Sequence, residues 1–169
     1  MKDVIEISRG KQVRASDRGD AKDVLITNLP RKQVGCLCYK WDNKALKVLL
    51  ITSLTTKKWI IPKGWIDIKL GSSTSAAVEA WEEAGILGIC DKKKFGDFKY
   101  TKILKDGSPL ECIIDVFLMK TITQKTVFPE KNIRTLKWID PKDAAGFIRN
   151  KSLIQLLKKF DAKKSKASI

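Results

Sequence analysis

The sequence of 169 residues contains no histidine. This absence excludes a Ser-His-Asp triad, a Cys-His catalytic pair and every metal site that depends on imidazole ligands. Acid–base or metal chemistry in this chain must therefore rest on carboxylate, Lys, Tyr or Cys side chains. The four cysteines, Cys36, Cys38, Cys90 and Cys112, show no Cys-x-x-Cys spacing, and we expect them to be reduced, mostly buried thiols.

The sequence also lacks long apolar runs. None approaches the roughly 18 residues that span a membrane, and residues 1–10 lack the apolar block of a secretory signal. We therefore expect a cytoplasmic protein that does not enter a membrane. Hydrophobic residues make up 43% of the chain, which is ordinary for a folded protein and excludes general disorder.

Acidic residues are scarce relative to basic ones. The chain has 34 Lys and Arg residues against 19 Asp and Glu residues, a formal net charge of +15. Such an excess suggests a polyanionic partner, and nucleic acid, anionic lipid and a phosphate-rich small molecule are all compatible with it. Composition alone does not choose among these partners.

The order of sequence patterns predicts one mixed α/β (α+β) domain. A helix is predicted over residues 76–84, after the capping residues 71–74 and before Gly85. Asp140 and Pro141 predict the start of helical segments that continue through residue 160. We interpret residues 1–30 as a polar arm, 31–160 as the folded domain and 161–169 as a basic tail. Strands are predicted at residues 34–39, 46–51, 59–61, 98–104, 110–120 and 133–139.

The predicted central helix carries three carboxylates, Glu79, Glu82 and Glu83. Their spacing of i, i+3 and i+4 places them within about 100° of one another on one helix face. Three clustered carboxylates repel each other unless a cation lies among them, and Mg²⁺ or Mn²⁺ is the natural choice. A solvated acidic face is the alternative interpretation of the same spacing.

The residues from Gly64 to Ile86 resemble the Nudix box. That pattern reads Gly, five residues, Glu, seven residues, then Arg-Glu-apolar-any-Glu-Glu-any-Gly-apolar, and the spacing matches without a gap. The resemblance covers about residues 30–160 and is closest to the diphosphoinositol polyphosphate and diadenosine polyphosphate hydrolases. The box is degenerate, because Leu70 stands at the first Glu position and Val78 at the Arg position.

The resemblance implies an α/β/α sandwich with a mixed sheet, in which a central loop and helix carry the carboxylates. It also implies Mg²⁺- or Mn²⁺-dependent hydrolysis of a phosphoanhydride bond in a small polyphosphate substrate. The metal ligands would then be Glu79, Glu83 and the backbone carbonyl of Lys63, with Glu130 completing the site from a distal loop. Glu82 is the first choice for the catalytic base or for a ligand to a second metal ion, with Glu79 as the second catalytic carboxylate.

Basic and aromatic residues near the box are the candidates for substrate contact. They are Lys57, Lys58, Lys63, Trp65 and Arg134, together with Gly64.

A catalytically impaired protein that only binds polyphosphate or RNA is the alternative, because Leu70 and Val78 replace two charged residues of the box. RNA is possible but not favoured as a partner, since the chain lacks the aromatic pairs and GXXG loop of common RNA-binding modules.

Overall fold

The computed structural model describes residues 29–166, so nearly all of the arm predicted for residues 1–30 lies outside the described residues. The elements follow one another in an order close to the predicted one. They are β1 (Arg31–Asp42), β2 (Ala45–Thr52), β3 (Trp59–Ile60), β4 (Lys63–Trp65), α1 (Ser72–Ala84), β5 (Ile86–Cys90), β6 (Gly96–Ile103), β7 (Pro109–Gln124), β8 (Leu136–Ile139), α2 (Pro141–Ala144) and α3 (Lys151–Lys166).

In the described part of the chain, the strands form one mixed sheet of eight strands in the order β3-β2-β1-β7-β5. Strand β4 also pairs with β1, β6 with β7 and β8 with β2. The central strands β1 and β7 are parallel, from the Arg31–Cys112 pair to the Tyr39–Lys120 pair. All other pairings are antiparallel. The mixed α+β sheet predicted from the sequence is therefore confirmed.

Both faces of the centre of β1 are covered, because every residue from Val34 to Tyr39 is buried and side chains alternate between faces. Helix α3 covers one face, where the rings of Phe160 and Tyr39 lie 5.3 Å apart. Cys36 points to the opposite face and interacts there with Cys90, whose Sγ lies 3.5 Å from the carbonyl of Ser73 in α1. The sheet thus lies between the two longer helices.

Both predicted hairpins are present. Strands β1 and β2 are joined at Asn43 and Lys44, which have positive φ angles of 45° and 67°. Strands β6 and β7 are joined at a turn in which Gly107 has φ 83° and Asp106 accepts a hydrogen bond from the backbone N–H of Ser108. Strand β7 runs four residues beyond its predicted end at residue 120, since it pairs there with β5.

Helix α1 begins at Ser72, four residues before the predicted start. It ends as predicted at Gly85, which has the left-handed φ of 69° and donates its N–H to the carbonyls of Ala80 and Trp81. The cysteine prediction is also confirmed, since all four thiols are free and only Cys90 is less than fully buried.

The C-terminal segment is interrupted. Asp140 caps a short helix by accepting a hydrogen bond from the N–H of Lys142, as predicted, but this helix ends at Ala144. Helix α3 then continues to Lys166, so the first six residues of the predicted basic tail are helical. No helix in residues 29–166 has both the length and the apolar character needed to cross a membrane.

Candidate active site

The loop that leads into α1 is fixed by Ser75, which is 3% exposed. Its hydroxyl accepts the N–H of Asp67 at 3.0 Å and donates to the carbonyl of Gly71 at 2.7 Å. These bonds attach the loop after β4 to the first turn of the helix. The glycine turn and the carboxylate helix are therefore held in one rigid arrangement.

Gly64 lies directly beneath the carboxylate of Glu79. A Cβ atom at residue 64 would come within 1.9 Å of Glu79 Oε1, so any larger residue would displace that carboxylate. Strand β4 holds Gly64 in place through its antiparallel pairing with Val34 of β1. The glycine of the box is thus required here for a close approach of backbone and side chain.

The C-terminal end of α1 is joined to the segment between β7 and β8. Carbonyl groups at a helix end lack partners within the helix. Here the carbonyl of Glu82 accepts the N–H of Glu130 at 2.9 Å, and the carbonyl of Gly85 accepts the N–H of Lys125 at 2.9 Å. These bonds bring Glu130, which is distant in sequence, to the carboxylate face of the helix.

These elements enclose an open pocket with a volume of about 300 Å³. One part of its wall is acidic, another is basic, and two aromatic rings lie at its margin. Among its lining residues are the acidic Glu79, Glu82, Glu83 and Glu130, the basic Lys63, Lys102 and Arg134, the aromatic Trp65 and Tyr100, and the amide Gln33.

Arg134 connects the acidic residues at the bottom of the pocket. Its Nη2 donates to Glu83 Oε1, its Nε donates to Glu130 Oε2 at 2.6 Å, and its Nη1 donates to the carbonyl of Thr52 at 3.0 Å. The side chains of Arg134 and Glu83 are only 7% and 6% exposed. The other oxygen of Glu83, Oε2, accepts the backbone N–H of Lys63 at 3.0 Å.

Burial and mutual repulsion disfavour negative charge on two of the carboxylates. Burial raises the pKa of Glu79 to about 7, and the neighbouring Glu82 and Glu130 act in the same direction. Burial also raises the pKa of Glu83 to about 7, although Arg134 and the N–H of Lys63 act to lower it. The acidic part of the pocket therefore has more negative charge than Arg134 alone compensates.

The donor set of the pocket fits a hard divalent cation in its chemistry, since it consists of carboxylate and carbonyl oxygens. In residues 29–166, however, no three Cys, Asp or Glu side chains converge closely enough to hold a metal ion as they stand. Glu83 is engaged by Arg134. A metal ion at Glu83 Oε1 would therefore compete with the guanidinium of Arg134 for that oxygen.

The structure brings most of the predicted site residues together, but not all of them. Glu79, Glu82, Glu83, Glu130, Lys63, Gly64, Trp65 and Arg134 all line the pocket. Lys57 and Lys58 do not, since both line a neighbouring cavity with Trp59 and Phe147. The prediction of phosphate contacts at these two lysines relied on their closeness in sequence to the turn. Lys57 instead donates from Nζ to the carbonyl of Ile133 at 3.4 Å.

Sequence reasoning missed several residues of the pocket, among them Gln33, Tyr100 and Lys102. The ammonium group of Lys63 lies 4.4 Å from the centre of the Tyr100 ring, and that of Lys102 lies 5.2 Å from the centre of the Trp65 ring. Gln33 is 2% exposed, and its Oε1 has no hydrogen-bond partner among the described residues. The two-residue alternation along β6 places Tyr100 and Lys102 on one face, but no local motif identifies that face as the pocket.

Sequence comparison relates the chain to plant Nudix hydrolases. It is 26% identical over 138 residues to Nudix hydrolase 21, chloroplastic, of Arabidopsis thaliana, covering 77% of this chain and 66% of the relative. It is 25% identical over 126 residues to Nudix hydrolase 13, mitochondrial, of the same plant, covering 71% and 61%. The chain thus spans less than two thirds of the length of these curated relatives. No protein-family profile matches it.

Solved structures share the fold at lower sequence identity. A C. elegans Ap4A hydrolase binary complex superimposes with a TM-score of 0.60 and 22% identity, covering 80% of this chain and 98% of that structure. The NUDIX domain of Shewanella oneidensis NrtR, in complex with ADP ribose, gives a TM-score of 0.58 and 15% identity, covering 83% and 92%. These similarities establish the fold alone. Together with the relationship in sequence, they show that the chain is similar to Nudix hydrolases in both sequence and fold.

Proposed function

We propose that this protein hydrolyses a phosphoanhydride bond in a small polyanionic substrate, using Mg²⁺ or Mn²⁺. The observation that carries the proposal is the composition of the pocket, in which four carboxylates face three basic side chains. A phosphoanhydride with its metal ion needs both kinds of group, because its oxygens are negative and its counter-ion is positive. Candidate substrates are a diadenosine polyphosphate, a diphosphoinositol polyphosphate or another nucleoside diphosphate linked to a second group.

The basic residues of the pocket are suited to hold the phosphate groups. Lys63 and Lys102 lie over aromatic rings at its margin, where the side chains are partly ordered before a substrate arrives. Trp65 is 43% exposed and offers a ring on which a base or another flat group can stack. These residues orient the substrate so that the bond to be cleaved faces the acidic wall.

The acidic residues are suited to bind the cation and to accept a proton. Glu79, Glu83 and the carbonyl of Lys63 would hold the ion, with Glu130 beside them. The ion would neutralise charge on the phosphoanhydride during attack by water. Glu82 is the first choice to accept the proton of the attacking water, since it lines the same wall.

The structural neighbours support the choice of test substrates. One is named an Ap4A hydrolase, and another was solved in complex with ADP ribose. Both compounds contain adenosine and at least one phosphoanhydride bond. We would therefore begin a substrate panel with these two compounds and add a diphosphoinositol polyphosphate.

The test is a chromatographic assay of products from this panel with Mg²⁺, with Mn²⁺ and with a chelator. We expect release of phosphate or a mononucleotide only with a divalent ion. Glu82→Gln and Glu83→Gln each lower the rate by about a hundredfold or more. Glu111→Gln is the matched control, because Glu111 is exposed on β7, outside the pocket, and accepts a hydrogen bond from Thr101. An unchanged rate in Glu83→Gln would show that the metal assignment is wrong.

A binding protein without turnover is the second candidate function. The observation in its favour is the bond between Arg134 and Glu83, together with Leu70 and Val78 at the charged positions of the box. This candidate predicts metal-independent binding of a polyphosphate, with no product in the same assay. If the ligand is RNA, retention on RNA falls steeply as salt increases.

A further inference from the structure

We propose that Arg134 is the resident cation of this site and that a divalent ion displaces it from Glu83. The inference rests on the proposed metal-dependent function and adds a competition within the protein itself. In the structure, Arg134 donates a hydrogen bond to Glu83. When the ion binds, Glu83 turns from the guanidinium to the metal.

The contacts of Arg134 define the position of a cation. Its guanidinium bridges Glu83 and Glu130, two carboxylates from segments that are distant in sequence. The third contact, to the carbonyl of Thr52, fixes the plane of the group. With a side chain that is 7% exposed, Arg134 occupies the interior of the acidic wall and not its surface.

The partners of Glu83 show which contact can be exchanged. Oε2 accepts the backbone N–H of Lys63, and this residue is fixed because β4 pairs with β1 at Gly35. Oε1 accepts a hydrogen bond from the side chain of Arg134, which lies in the segment that precedes β8. A side chain can change rotamer without breaking the sheet. Arg134 is therefore the partner that a metal ion replaces.

The positive charge beside Glu83 comes from outside the helix. Val78 supplies no positive charge from the helix, although the box normally has arginine there. The positive charge that pairs with Glu83 comes instead from a residue 51 positions further along the chain. A divalent ion placed beside Glu83 and Glu130 is repelled by this guanidinium for as long as the pair remains.

The first test measures Mn²⁺ affinity by electron paramagnetic resonance in the full chain, without substrate. We expect Arg134→Ala to bind Mn²⁺ about tenfold more tightly than the wild type, because the competing charge is gone. Arg134→Lys stays closer to the wild type, since it keeps a charge. Arg149→Ala is the control for loss of an arginine elsewhere, and it binds as the wild type does. Equal or weaker binding by Arg134→Ala would overturn the proposal.

A double-mutant cycle locates the competition at Glu83. In the Glu83→Gln background, we expect removal of Arg134 to change Mn²⁺ affinity by less than it does in the wild type. An effect of equal size in both backgrounds contradicts a competition for this carboxylate.

The wild-type chain provides a second test that does not depend on whether a variant folds. The side-chain Nε–H signal of Arg134, assigned with Arg134→Lys, is followed by nuclear magnetic resonance during titration with Mg²⁺. We expect this signal to shift in step with metal saturation. A signal that stays unchanged at saturation would refute the displacement.

The two proposals fail in different ways. If Mg²⁺ shifts the Arg134 signal but no phosphoanhydride is hydrolysed, the proposed function fails and the displacement stands. If hydrolysis occurs while the wild-type Arg134 signal stays unchanged at Mg²⁺ saturation and Arg134→Ala binds Mn²⁺ as tightly as the wild type, the displacement fails and the function stands.

Discussion

At the scale of single residues, the pocket concentrates groups whose ionisation opposes folding. Glu79 lies against Gly64 and close to two other carboxylates, and Glu83 is almost fully buried. Both residues have a pKa of about 7, mainly because burial disfavours the charged form. A folded protein tolerates such groups where a ligand or a reaction uses their charge.

These raised pKa values predict how stability depends on pH. Because the folded state holds protons on Glu79 and Glu83 up to about pH 7 and the unfolded state releases them near its ordinary value of 4.5, the contribution to stability is lost as pH rises from about 5 to 8. We expect the metal-free protein to melt at a higher temperature at about pH 5.5 than at about pH 8. The measurement is a thermal melt across this range with a chelator.

Glu79→Gln is expected to flatten this pH dependence and to raise the melting temperature at about pH 8, since it removes a buried charge. The control Glu111→Gln alters an exposed carboxyl outside the pocket and keeps the wild-type profile. If the melting temperature of Glu79→Gln depends on pH as steeply as that of the wild type, the raised pKa of Glu79 is contradicted.

Gln33 provides a second prediction at this scale. Its Oε1 is buried beside the pocket without a partner among the described residues, so Gln33→Met is expected to increase the free energy of unfolding by about 1 kcal/mol. The same variant should raise the KM for the substrate, because a bound substrate can supply the missing hydrogen bond. Gln124→Met is the contrast, since Gln124 donates to Ala84 and accepts from Trp138 and its loss destabilises the fold. Denaturant unfolding and steady-state kinetics measure both effects.

At the scale of elements, the C-terminal end of α1 positions the part of the site that comes from the segment between β7 and β8. The helix ends at Gly85, and its free carbonyls accept N–H groups from the segment that contains Glu130. That segment continues to Arg134, so both residues depend on one helix terminus. One face of the helix carries three carboxylates, and the C-terminal end of the helix positions Glu130 and Arg134.

Substitutions at two glycines compare the stability cost at this helix end with the cost at an exposed turn. Gly85→Ala places a Cβ in a left-handed conformation, 2.6 Å from the Phe128 ring and 2.7 Å from the carbonyl of Lys125, and is expected to cost about 2 kcal/mol or more. Gly107→Ala has a similar φ but no atom within 4 Å, and is expected to cost only about 1 kcal/mol. Denaturant unfolding of both variants measures the difference. Equal costs would show that the contact with the loop is unimportant.

At the scale of the whole molecule, the charge is divided unevenly. The chain has a net charge of +15, yet four acidic residues converge on a single pocket. A positive exterior attracts a polyanion from a distance, while the acidic wall attracts the cation that accompanies it. Part of the positive excess lies on α3, whose lysines take no part in the pocket.

The uneven charge predicts a response to ionic strength. Between about 50 and 200 mM salt, we expect the KM for a polyphosphate to rise while kcat changes little, because salt screens long-range attraction more than contacts in the pocket. Lys102→Ala should reduce this dependence, and Lys151→Ala at the exposed start of α3 is the control. Steady-state kinetics at several salt concentrations provide the measurement. A KM that does not respond to salt argues against a polyanionic substrate.

The sequence by itself determined those features that depend on near neighbours in the chain. The i, i+3 and i+4 spacing placed Glu79, Glu82 and Glu83 on one side of a helix, and glycine at residue 85 ended that helix. The two hairpins followed from short turns between apolar runs. The absence of histidine restricted acid–base and metal chemistry to carboxylate, Lys, Tyr and Cys side chains. For the helix and the hairpins, the deciding interaction lies within a few residues.

Only the tertiary structure decided how distant segments complete the pocket. Arg134 reaches Glu83 across 51 positions, and Gln33, Tyr100 and Lys102 enter through strand pairings. Lys57 and Lys58, near the box in sequence, instead face another cavity. The physical reason is that burial and charge pairing depend on which surfaces the sheet brings together. Local sequence does not specify these surfaces, and so it identified the acidic helix but not the guanidinium that pairs with Glu83.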